Sequence, residues 1–76
     1  MNKKRRELLH KAIERLDEAS EYVSEALDEE QDSLDNMPEN LESSDKFSKM
    51  EAAIEKLEDA IERIDEAKED IEEASE

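Results

Sequence analysis

Two short constellations in this chain hold residue types that can do chemistry. Glu7-Leu-Leu-His10 has the Glu-x-x-His spacing of carboxylate di-iron bundles, with a carboxylate and an imidazole one helical turn apart. Such a centre needs two of these helices and two further glutamates projecting into one core. Here Leu9 holds the apolar seam, so Glu7 and His10 fall beside it, and a solvated histidine is expected. Asp28-Glu-Glu-Gln-Asp32 with Asp35 crowds five carboxylates into eight residues. It lacks the glycine turn and the alternating ligands of a calcium loop. General acid–base work needs an enclosed carboxylate with a displaced pKa, and surface acids do not supply one. No cysteine is present for a thiolate site, and no glycine for a phosphate-cradling loop. The chain is therefore expected not to be an enzyme and to need no cofactor or metal.

The elements that position these residues are legible in the spacing. The chain has 76 residues, 26 acidic and 11 basic, for a net charge of −15, and 3 % aromatics, a composition that by itself suggests disorder. The periodicity argues otherwise. Apolar residues recur at Leu9, Ile13, Leu16, Val23 and Leu27, and again at Phe47, Met50, Ile54, Leu57, Ile61, Ile64 and Ile71. The steps alternate between three and four residues, with Ser20 and Lys68 filling two slots of the series. That is a heptad seam in strong helix formers. Glu14-Arg-Leu-Asp-Glu-Ala-Ser20 is echoed by Glu62-Arg-Ile-Asp-Glu-Ala-Lys68, a shared heptad grammar and not a solenoid repeat.

Pro38 drives Met37 out of helical geometry and ends the first helix. Ser44 before Asp45, or a capping box Ser48-x-x-Glu51, restarts it. The expected fold is a single all-α domain. It is an antiparallel, coiled-coil-like two-helix hairpin with a helix over about 3–34, a loop over about 35–43 and a helix over about 44–75. Pairing residues whose numbers sum to about 80 sets Leu9 against Ile71, Leu16 against Ile64 and Val23 against Leu57. It also lays the basic start (Lys3 to Arg6) beside the acidic finish, and Asp17 opposite Asp65, where the two acids are expected to repel.

With Leu9 and Ile71 at heptad position d, one side of the hairpin is an alanine strip. Ala12, Ala19 and Ala26 at g face Ala67, Ala60 and Ala53. Leu8, Arg15 and Tyr22 flank it at c, as do Lys49, Lys56 and Arg63. Positions b, e and f carry the acid, filling 18 of 24 slots over residues 7–32 and 48–73. Alanine is also the best helix former, so propensity alone accounts for a strip of it. A docking face is the sharper reading, because thirteen seam side chains, the twelve above and Leu34 opposite Phe47, give only about 20–25 kcal/mol against the ordering of some sixty residues. Two hairpins paired into a four-helix bundle are therefore expected, through Leu8, Ala12, Ala19, Tyr22, Ala26, Ala53, Ala60 and Ala67.

Charge is uneven along the chain: residues 1–16 carry +4, residues 17–45 carry −12 with no basic residue, and residues 46–76 carry −7. The net field repels nucleic acid directly. The same field suits a decoy, with carboxylates on a rigid rod competing for clefts that otherwise hold phosphates. The expected function is a non-catalytic acidic protein that binds a basic, nucleic-acid-handling protein surface as a nucleic-acid-mimic inhibitor or regulator. The residues expected to carry it are Asp17, Glu18, Glu21, Glu25, Asp28, Glu29, Glu30, Asp32 and Asp35, with Asn36, Met37 and Glu39 of the loop. A structural or adaptor coiled coil docking through the alanine edge is the alternative. The longest apolar run is three residues, Ala52-Ala53-Ile54, so neither a membrane span nor a signal-peptide core is expected, and the cytoplasm is the expected location.

The central stretch also looks familiar. Asp28-Glu-Glu-Gln-Asp-Ser-Leu-Asp-Asn-Met-Pro-Glu-Asn-Leu-Glu-Ser43, followed by Met50-Glu-Ala, resembles a group of short acidic proteins encoded in bacterial genomes, phages and mobile elements. Their pattern reads D/E-E-E-Q, then D-N-[ML]-P-E-x-L-x-x-S. The resemblance covers about the middle half of the chain and carries over no catalytic or binding residue. It implies a mobile-element setting, in which an inhibitor of host nucleases or defence proteins is the natural expectation.

Overall fold

A computed structural model describes residues 1–76 and contains two helices and no strand. Helix α1 spans Lys3–Asp35 and helix α2 spans Asp45–Ala74, with one 3-10 turn, Glu39–Leu41, between them. Each boundary has a side-chain cause. The Asn2 side chain accepts from the Arg5 backbone N–H at 2.9 Å and caps the start of α1. At its far end Asn36 donates twice to the Asp32 carbonyl, from its backbone N–H at 3.1 Å and from Nδ2 at 2.8 Å. Helices often end on a left-handed glycine, but this glycine-free chain has no positive φ anywhere, and Asn36 closes α1 at φ −93°, ψ 4° instead.

The loop is tied down at nearly every residue. Pro38 accepts from Leu41 at 2.9 Å and opens the 3-10 turn. The Leu41 carbonyl accepts from the Ser44 backbone at 3.0 Å and its hydroxyl at 2.6 Å. Ser44 Oγ in turn accepts from Phe47 N–H at 3.2 Å and caps α2. Of the two starts open in the sequence, the chain uses Ser44, and Ser48 lies inside the first turn.

The helices pack antiparallel along the heptad seam. Met50 and Ile54 are buried, at 8 % and 6 % exposure, and every other apolar seam residue from Leu9 to Ile71 is half-buried. No third layer covers them. The molecule is a rod of 59 × 15 × 12 Å between Cα extremes. Its radius of gyration is 17.4 Å, where a compact chain of this length has about 11 Å. It exposes 5994 Å², against about 4,800 Å² for a compact monomer of this mass.

Two sequence expectations are corrected by the packing. Asp17 and Asp65 do not confront one another unscreened, because Lys68 Nζ lies between them at 2.8 Å and 3.3 Å. The four-carbon stem of Lys68 starts in the seam and carries the ammonium out to the acidic side. The basic start and the acidic finish meet through a hydrogen bond and not through ion pairs. Arg6 Nε donates to the Ser75 carbonyl at 3.1 Å, satisfying an orphan acceptor at the end of α2. Cations ill-placed on the dipole of α1 thereby sit at the negative end of α2, where they are favourable.

Candidate acidic interface

The b and e positions of α1 share one broad side of the rod and the f positions form its outer edge, and the acids at all three lie in solvent. Asp17, Glu18, Glu21, Glu25, Asp28, Asp32 and Asp35 are all exposed there, and Glu29, also exposed, stands at position c beside the alanine strip. Glu30 is not part of this surface. It occupies the d position after Val23, on the seam, and is half-buried. In the loop Asn36 and Glu39 are exposed and Met37 is half-buried. Asn36 is committed to closing α1, so its conformation is set by the helix end.

Only two acids of this region are neutralised by contact: Asp17 by Lys68, and Glu18 by Arg15 at 2.8 Å. The ten carboxylates from Glu21 to Asp45 make no ion pair, and no basic residue lies between Arg15 and Lys46. Without the half-buried Glu30, the eight acids from Asp17 to Asp35 span about 27 Å of helix at 1.5 Å per residue. That is about one charge per 3.5 Å of axis, close to the one per 3.4 Å of a single DNA strand. Beside the helix runs an open groove lined by Asp17, Ser20, Glu21, Ser24, Glu25, Asp28 and Lys68, with no apolar side chain.

Lys68 is the residue that sequence reasoning missed. The hydrogen bond to Asp17 raises its pKa above the ordinary 10.5, partial desolvation works the other way, and Asp65 adds to the rise. The signal was present, since Lys68 and Ser20 are polar slots in the apolar seam series and both line the groove.

The opposite side carries the alanine strip. Ala19, Ala26 and Ala53 are exposed, and Ala12, Ala60 and Ala67 are half-buried. Leu8 at 56 % and Tyr22 at 73 % exposure project from the same side. Glu7 and His10 are both exposed, and no three His, Asp or Glu side chains converge as a metal centre would require. No helix is long and apolar enough to cross a membrane. No known protein family, curated protein or solved structure matches the chain.

Proposed function

We propose that the chain is a non-catalytic binding protein of the cytoplasm whose acidic α1 face occupies a basic, nucleic-acid-handling surface of a partner protein and so inhibits or regulates it. The run of ten unpaired carboxylates from Glu21 to Asp45 carries this reading. Those of them on α1 belong to a series whose spacing approximates that of phosphates along a strand, and the helix holds them without the flexibility of an acidic tail. The mobile-element setting implied by the loop resemblance fits a host nuclease or defence protein as the target.

The test is competitive capture. Immobilised chain, exposed to a bacterial lysate, should retain proteins that a double-stranded DNA oligonucleotide releases. The variant Glu21→Gln, Asp28→Asn, Asp35→Asn removes three b-position charges and keeps helix propensity level. It should retain those proteins about tenfold less well, chiefly through slower association. The matched variant Glu55→Gln, Glu62→Gln, Glu69→Gln should lose less, because Lys49, Lys56 and Arg63 already dilute the field of α2. Equal losses, or capture that DNA does not compete, would overturn the reading.

A second reading is favoured by a separate observation: only two residues are buried, while Leu8 and Tyr22 stand in solvent beside the alanine strip. On this reading two hairpins pair along that strip into a four-helix bundle. The same strip is where an adaptor coiled coil would dock, and such docking would be nearly insensitive to salt.

A further inference from the structure

Lys49, Lys56 and Arg63 stand in a row at position c of α2, beside the alanine strip, and none of them has an ion-pair partner in the hairpin. We infer that their partners belong to a second copy of the chain, stacked strip to strip with α2 lying antiparallel on the partner's α1. The inference rests on the pairing of hairpins proposed above and gives it a geometry.

Symmetry fixes the register of such a stack. If the two-fold axis lies in the interface and runs along the helices, each residue of α2 meets the partner's α1 at the same height as its own α1. The pairing sum of about 80 then holds between copies as it does within one. Ala19 of one copy lies beside the partner's Ala60, and small side chains let the helices approach closely. Outside the alanines, position c of α2 flanks position f of the partner's α1. At equal height Lys49 meets the partner's Asp32, and Lys56 meets the partner's Glu25. Arg63 meets the partner's Glu18, an acid that Arg15 of its own helix also contacts. One heptad further on, both signs reverse together, and Asp70 meets the partner's Lys11. Four pairs at one constant sum are all opposite in charge, including the pair in which the acid and the base change sides. A solvated face has no reason to keep that correspondence.

Net charge does not forbid the stack. Over the c and g positions and the α1 f positions that would meet, Lys11, Arg15, Lys49, Lys56 and Arg63 balance Glu18, Glu25, Glu29, Asp32 and Asp70, whereas the b and e positions, which hold about half of the acid, point away. The rod exposes about 1,200 Å² more than a compact monomer, comparable with the roughly 800 Å² per partner that a specific interface buries.

Sedimentation equilibrium at about 100 µM, far above a micromolar Kd, separates the outcomes. The native chain should be a dimer. Lys56→Glu and Glu25→Lys should each weaken it about tenfold, since the two-fold axis repeats every contact. The double variant, with the charges exchanged, should return to within about threefold of native affinity. Lys56 and Glu25 lie on different sides of one hairpin, so recovery must come from contact between copies. A second measurement reads the orientation independently of charge, because the chain has no cysteine of its own. Ala19→Cys copies mixed with Ala60→Cys copies should form an interchain disulfide, and Ala19→Cys alone should not. A native dimer whose double variant is no tighter than the single ones, or which crosslinks through Ala19→Cys alone, overturns the orientation and leaves the pairing standing. A native chain that sediments only as 8.8 kDa monomer overturns the pairing itself.

Discussion

Lys68 occupies a seam slot that an aliphatic residue would fill at lower desolvation cost, and what it gains is a position between two carboxylates. The pH dependence follows from the direction of its shift. A lysine whose pKa is raised by folding stabilises the fold fully below its unfolded value of 10.5, and loses that contribution as pH climbs through the raised value. Between about pH 9 and about pH 11.5 the thermal midpoint of the native chain should therefore fall further than that of a Lys68→Leu variant. Identical falls would show that the ammonium contributes nothing. Position alone did not reveal this contact. The heptad assignment set Asp17 and Asp65 opposite each other correctly, but the reach of a long side chain out of the seam is not a property of its slot. Glu30 fails the other way. It belongs to an acidic run by sequence neighbourhood and to the seam by register, and register decided its burial.

At the scale of elements, two devices hold the helices in one alignment. One is Lys68 itself. The e positions of α1 are Lys3, His10, Asp17, Ser24 and Gln31, so only one heptad alignment brings an acid of α1 to it, and a slip in either direction offers His10 or Ser24. The other is the loop, whose Asn36, Pro38, Leu41 and Ser44 each make a defined backbone contact. The loop motif thus has a structural account in helix closure and restart. Ser44→Ala should cost about 1 kcal/mol and lower the thermal midpoint by roughly 4–8 °C. Ser48→Ala should stay within about 0.5 kcal/mol, and a larger effect at Ser48 than at Ser44 would mean that α2 starts a turn later in solution. The two helices, their seam and the break at Pro38 were legible because heptad spacing and proline act locally. The 3-10 turn and the Asn2 cap were not, since neither belongs to a periodic pattern.

At the scale of the molecule, a core of two buried residues holds a chain of charge −15 with three ion pairs, so self-repulsion is a large term. Raising salt from about 0.02 M to about 0.5 M shortens the screening length from roughly 20 Å to under 5 Å. It should raise the thermal midpoint of dilute hairpin, and a fall would show that attractive pairs dominate. The antiparallel rod also sorts this charge along its length. The end that holds both termini, residues 1–16 with 65–76, has seven basic and nine acidic residues, and the loop end, residues 33–48, has one and four. The middle, residues 17–32 with 49–64, has three and thirteen, so about two-thirds of the net charge sits at the waist. A body charged at one end turns that end toward an opposite field, whereas one charged at its waist is drawn in sideways. A basic cleft would therefore receive this molecule broadside, as it receives the flank of a duplex and not its terminus, with the correct long edge presented before the first contact is made.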